Sequence, residues 1–186
     1  MSSLNKSDLF EQVMEYGIDM RARIVYCDDM VDDKLKKQVV RGLKLLDRTE
    51  GKITVVLSCE GGFVDDGMAI YDAIRACQNE VHIEVFGIAA SMGSIIMQAG
   101  DKVVMGANSK IMIHMGSISL DDHHINAKRQ LEDNERHGEW MIDMFINKIK
   151  QRRPRYTKQQ FESEIQFDRF IYAEEALKLG LVDEII

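Results

Sequence analysis

The chain of 186 residues holds one proline and three cysteines, carries no surplus of positive charge, and contains no long apolar run. The lone proline, Pro154, leaves no material for a Pro-rich hinge, so a single domain over residues 1–186 is expected. Cys27, Cys59 and Cys77 are odd in number and lack C-x-x-C spacing, which argues against a disulfide framework or a zinc site. Reduced thiols and a cytoplasmic setting are the expectation. No apolar stretch reaches the ~18 residues of a membrane span. The opening Met1-Ser2-Ser3-Leu4-Asn5-Lys6-Ser7 is polar and does not read as a secretory signal. A membrane partner, and with it cleavage inside a bilayer, is therefore not expected. Net charge is −7 with scattered acidic side chains, which leaves no basic face for nucleic acid. The one basic cluster, Lys148, Lys150, Arg152, Arg153 and Arg155, reads as a solvated helix end.

What is present is a globular profile, 45% hydrophobic and 30% charged, long enough to bury a core. Residues 8–21 read as a helix capped by Ser7, and 32–49 as an amphipathic helix with Leu35, Val39, Leu43 and Leu46 on one stripe. Ile24-Val25-Tyr26, Ile53–Leu57, Val81–Phe86, Lys102–Met105 and Lys110–His114 read as strands. Helices are predicted over Val64–Cys77, Met92–Ala99, Asp122–Lys150, Lys158–Ile165 and Ala173–Leu179, the last closed by Gly180. The second half of the long helix is dense with Trp140, Met141, Ile142, Met144, Phe145, Ile146 and Ile149, and must bury more than one face, on the domain or on a partner subunit. The alternation of helices and strands gives an α/β class with mainly parallel strands. Ligands in such sheets sit beyond the carboxyl ends of strands, where both Gly61-Gly62 and Ser91 fall.

Ser91 stands in Ala89-Ala90-Ser91-Met92-Gly93, an approximate nucleophile elbow at a strand-to-helix turn. There the helix start aims the Met92 N–H at a reacting centre; equally, a small serine suits close helix packing. Gly61-Gly62 lacks side chains and can turn an N–H toward an oxyanion, or form a plain tight turn. His114 ends an apolar strand and is a base at neutral pH or a satisfied core histidine. Asp168 lies between Phe167 and Phe170, which predicts partial burial and a partner, either Arg169 or His114. Asp121-Asp122-His123-His124 is the rival constellation, but its spacing favours a solvated loop over a metal site.

Taken with Gly67-Met68-Ala69-Ile70-Tyr71-Asp72, Met112-Ile113-His114, Asp168-Arg169-Phe170, Ala173-x-Glu175-Ala176 and Gly180-Leu181-Val182-Asp183, these residues resemble the Clp protease family, the caseinolytic protease proteolytic subunits. The similarity runs from about Arg23 to the end. It implies a crotonase-like α/β superhelix with a head at about 8–115 and 151–186, and a protruding handle helix at about 116–150. It implies a self-compartmentalising serine endopeptidase that acts on unfolded polypeptides through an acyl-enzyme. In that reading Ser91 is the nucleophile, His114 the general base and acid, and Asp168 the orienting carboxylate. The backbone N–H groups of Gly62 and Met92 form the oxyanion hole, and no metal or cofactor is required. The resemblance further implies a homo-oligomer, a seven-membered ring that is usually doubled, with an AAA+ unfoldase as partner. The stretch near Gly116–Leu120 would hold the substrate peptide as an added strand.

The chain departs from the family where Cys59-Glu60 precedes Gly61-Gly62 in place of Ser-Pro, and where Met115-Gly116 follows the histidine in place of Gln-Pro. Few polar residues precede the first helix, so the family's axial hairpin is expected to be absent. An inactive structural or regulatory ring subunit is the alternative function, and the complete set of Ser91, His114 and Asp168 speaks against it. An acyl-CoA enzyme on the same fold has no use for that serine–histidine pair, and a serine–lysine peptidase of signal peptides would be membrane-linked.

Overall fold

The computed structural model describes residues 6–116 and 123–186. A first helix, α1 (Lys6–Tyr16), is shorter than its periodicity predicts and contains Ser7. It stops where Gly17 takes φ 59, and residues expected to continue it form the short strand β1 (Ile18–Asp19). The strand β2 (Ile24–Cys27) follows, then α2 (Asp33–Leu46). Asp32 caps α2 by accepting the Leu35 N–H at 2.8 Å, and the predicted stripe of Leu35, Val39, Leu43 and Leu46 is buried.

The strand β3 (Ile53–Cys59) and the helix α3 (Val64–Arg75) lead to β4 (Val81–Ala90). Val55, Leu57, Val81, Ile83 and Val85 are wholly buried, as strands covered on both faces require. The helix α4 (Met92–Ile96) runs into a 3-10 turn over Met97–Ala99, so the predicted helix there changes type midway. Two strands follow, β5 (Lys102–Met105) and β6 (Lys110–Ile113), and then the 29-residue helix α5 (His124–Arg152). The chain closes with α6 (Lys158–Glu164), β7 (Arg169–Tyr172), α7 (Ala173–Leu179) and β8 (Glu184–Ile185). Gly180 ends α7 with φ 79, as expected.

The sheet runs β1-β2-β3-β4-β5-β8, and β6 and β7 branch from β4. Pairings among β2, β3, β4 and β5, of β4 with β6, and of β5 with β8 are parallel; β1–β2 and β6–β7 are antiparallel. The predicted α/β class with a mainly parallel sheet is what the chain adopts. The second half of α5 buries Met141, Ile142, Phe145, Ile146 and Ile149 in the main core, while Ile125 and Leu131 in its first half stand 65% and 40% exposed. Among the described residues no helix is long and apolar enough to cross a membrane.

β4 is where the sheet changes partners. Its first half pairs with β5, from His82 to Val85, and its second half with β6, from Ile88 to Ala90. Against β3 the register jumps from Leu57↔Val85 to Cys59↔Ala89, so β4 carries extra residues in a bulge. Gly87 turns the bulge with φ 73, and Ser109 clamps it: its Oγ accepts the Gly87 N–H at 2.9 Å and donates to the Val85 carbonyl at 3.3 Å. The stretch Gly87–Ala90, which lies between the predicted strand Val81–Phe86 and the predicted helix from Met92, is therefore strand.

Candidate active site

The actual turn is a single residue. Ser91 adopts φ 50 and ψ −120 between the end of β4 and the start of α4. A side chain there is strained by about 1–3 kcal/mol, a cost that persists only where the surroundings over-determine it. They do so here. The Ser91 N–H donates to the Met112 carbonyl at 2.9 Å, and the Ser91 carbonyl accepts from the Ser94 N–H at 3.0 Å and from the buried Ser94 hydroxyl at 2.6 Å.

Gly61 and Gly62 lie against this elbow. A β-carbon at Gly61 would stand 2.7 Å from Ser91 Cβ and 2.9 Å from the Ala90 carbonyl oxygen, so a side chain there would displace the serine. One at Gly62 would stand 2.2 Å from the Val31 carbonyl oxygen. Both glycines have φ that L-residues avoid, 103 and 151. The loop is held by the Val31 N–H donating to the Gly61 carbonyl and the Phe63 N–H donating to the Val31 carbonyl, both at 2.8 Å. Among the described residues, no backbone carbonyl accepts from the N–H of Gly62 or of Met92.

His114 follows β6 directly. Its Nε2 lies 3.0 Å from Ser91 Oγ, and its Nδ1 lies 3.2 Å from Asp168 Oδ1. The β6–β7 register explains the second contact. Ile113 is paired with Arg169, so the next residues outward, His114 and Asp168, face one another. Of the two partners open to Asp168 from sequence, Arg169 is taken elsewhere: it meets Glu164, Glu175 at 3.0 Å and the Tyr156 hydroxyl at 3.1 Å.

The predicted burial of Asp168 is not found. Its side chain is 58% exposed, because Phe167 and Phe170 point outward at 83% and 46% exposure instead of closing over it. Lys110 sits over the Phe170 ring at 5.1 Å, which helps keep that ring at the surface.

Beside Ser91 lies a cleft of about 220 Å³, lined by Gly62, Val64, Met68, Met92, Ile95, His114 and Met115 and, from α5, by Asn134, His137, Gly138, Trp140 and Met141. Trp140 is fixed by an edge-on contact with Tyr71, ring centroids 5.2 Å apart. The α5 contribution escaped the sequence reading, although positions 134, 137, 138 and 141 share one helical face.

His82 pairs with Glu80 at 2.7 Å. Cys59, beside the glycine loop, is buried. Burial pushes its thiol pKa up against the opposing pull of nearby backbone N–H groups, and its sulfur accepts the Gly61 N–H at 3.3 Å. Asp121 and Asp122 of the rival constellation, and the expected substrate strand from Ser117 to Leu120, lie outside the described residues. Among the described residues no three metal-ligating side chains converge.

A family model described as Clp protease matches residues 9–186. The ATP-dependent Clp protease proteolytic subunit of Deinococcus radiodurans is 31% identical over 175 residues, spanning 92% of this chain and 83% of that protein. Proteolytic subunit 2 of Thermobifida fusca is 32% identical over 175 residues, spanning 90% of this chain and 82% of that protein. The chloroplastic proteolytic subunit 3 of Arabidopsis thaliana is 32% identical over 182 residues, which cover 95% of this chain but 57% of that protein.

Proposed function

Because the chain belongs to the Clp protease family and is a serine-type peptidase, we propose that it hydrolyses peptide bonds of unfolded polypeptides with Ser91, His114 and Asp168 as a catalytic triad. The observation that carries this reading is the continuous hydrogen-bonded line from Ser91 Oγ through both ring nitrogens of His114 to Asp168 Oδ1, at 3.0 and 3.2 Å.

The chemistry follows from the atoms. His114 Nε2 takes the Ser91 hydroxyl proton as Oγ bonds to the scissile carbonyl carbon. Asp168 accepts the Nδ1–H, which keeps Nε2 the basic nitrogen and stabilises the imidazolium. The carbonyl oxygen, now an oxyanion, accepts from the N–H groups of Gly62 and Met92, from which no backbone carbonyl among the described residues accepts. His114 returns the proton to the leaving amine, the C–N bond breaks, and an ester on Ser91 remains. Water loses a proton to His114 and attacks the ester. The carboxylic acid then leaves and Ser91 Oγ regains the proton.

The assembly is proposed on the same footing. The exposed Ile125 and Leu131 on the first half of α5 support a handle that packs between copies of the chain in a closed ring. The relatives are named as ATP-dependent, and an AAA+ unfoldase feeding such a ring is the corresponding partner for this chain.

A fluorophosphonate probe tests the chemistry: it should label the wild-type protein at Ser91 and leave Ser91→Ala unlabelled. A folded, assembled wild-type protein that takes no label would sink the reading. Native mass spectrometry tests the ring, which a stable monomer would contradict.

A further inference from the structure

The cleft beside Ser91 has two unlike walls. Val64, Met68 and Met92 make one apolar. The other is the α5 face on which Asn134 and His137 stand beside Met141. At about 220 Å³ the cleft is smaller than the ~300 Å³ at which small-molecule sites begin, so it suits one side chain of a longer substrate. Two polar side chains do nothing for an aliphatic occupant, whose arrival would only strip them of water.

His137 is half-buried, with 34% of its side chain exposed. Its Nδ1 stands 3.8 Å from Asp133 Oδ2, too far for a hydrogen bond. The imidazole therefore keeps hydrogen-bonding capacity for an occupant. Neutral imidazole offers one donor and one acceptor, and the Asn134 amide offers both kinds. A carboxamide also offers both, so it matches this wall in either tautomer of His137. A carboxylate or an ammonium would lose its hydration against Val64, Met68 and Met92.

We propose that His137, with Asn134, makes this cleft select a side chain with an apolar stem and an uncharged hydrogen-bonding tip, glutamine first, at the residue whose carbonyl Ser91 attacks. The inference rests on the peptidase reading and adds its specificity. The methionines take the stem, since their unbranched thioethers adapt to its path. The α5 wall takes the tip.

The test uses the full chain and three fluorogenic peptides that differ only in that residue: Gln, Leu or Glu. The wild-type protein is expected to show kcat/KM about tenfold higher for Gln than for Leu, with Glu the poorest. A tenfold ratio corresponds to about 1.4 kcal/mol, within the reach of one hydrogen-bonded pair. His137→Leu should reverse the Gln-to-Leu preference, and His137→Asn should restore part of it. A wild-type preference for Leu, or the same ratio in wild type and in whichever variant folds, overturns the inference and leaves the peptidase reading standing. Failure to cleave any peptide, together with no fluorophosphonate label on Ser91, overturns both.

Discussion

Removing the Asp168 carboxylate measures how much the third member of the triad contributes when it is exposed. In Asp168→Ala, His114 loses the acceptor that holds Nδ1–H at 3.2 Å and with it the bias toward a basic Nε2. A hydrogen bond to a charged group contributes about 1.5–3 kcal/mol, or roughly 10- to 150-fold in rate. Burial would raise that figure, and a buried triad carboxylate is worth about 10⁴. Here the side chain is 58% exposed, so water screens the charge and can stand in as acceptor. The expected loss in kcat is therefore between about 10- and 150-fold, with KM little changed. Folding should be almost untouched, since the carboxylate packs against nothing that must be kept dry. Steady-state hydrolysis of a fluorogenic peptide gives kcat and KM, and thermal denaturation followed by circular dichroism checks the fold. Full activity in Asp168→Ala would refute the orienting role. A 10⁴-fold loss at unchanged thermal stability would refute the argument from exposure and indicate that a neighbouring copy covers the site in the working assembly.

Gly62→Ala should abolish peptide hydrolysis and lower Tm by several degrees, because the new methyl meets the Val31 carbonyl oxygen at 2.2 Å and φ is 151. Gly116→Ala, with φ 78 but nothing within 4 Å, should cost less in both assays. Asp47 supplies a pH test. Burial pushes its carboxyl up, but hydrogen bonds from Asn79 and Gln78 outweigh that and hold its pKa below the usual value. The resulting stabilisation is complete above the unfolded pKa of about 3.9 and is lost as pH falls through the lower folded value. The Tm difference between wild type and Asp47→Ala should thus be full at pH 6 and shrink below pH 4; a constant difference would contradict it. Finally, burial pushes the thiols of Cys27, Cys59 and Cys77 all upward, but only Cys77 is part-exposed. Iodoacetamide at neutral pH should alkylate Cys77 first and reach the other two only on unfolding, as read by peptide mass mapping.

Much of this fold was legible because its signals are local. The stripe of α2, the β-branched run of β3 and the Gly180 stop of α7 each follow from a few neighbouring residues. What escaped was set by distant partners. β7 is four residues with one buried side chain, Ile171, and its exposed Phe170 and Tyr172 carry no strand-like alternation into a core. β8 is two residues that become strand only by lying beside β5. The same limit explains Asp168. Aromatic neighbours in sequence implied burial, but β7 lies at the edge of the branch and turns those rings to the surface. The cleft wall on α5 was hidden for the opposite reason: Asn134 and His137 stand among Glu132, Asp133, Glu135 and Arg136, and only the packing of that helix across Ser91 gives them a site to face.

The candidate triad is a consequence of strand register more than of any one loop. Ser91 follows Ala90, which pairs with Met112 in the parallel β4–β6 ladder, and His114 lies two residues beyond Met112. Asp168 faces His114 because Arg169 pairs with Ile113 in the antiparallel β6–β7 ladder. Two ladders thus meet on β6 and set both hydrogen bonds. Slipping either by one residue would turn His114 or Asp168 to the opposite face. Each ladder has its own anchor. The β4 bulge, held by Ser109, brings the second half of β4 to β6 instead of β5. Arg169, only 14% exposed and tied to Glu164, Glu175 and Tyr156, pins the first residue of β7. The geometry around the serine is therefore carried by residues that never approach a substrate. That is why the glycine loop and the elbow can be read from a few neighbouring residues, while the choice of His114 over Arg169 as the partner of Asp168 follows from the strand register.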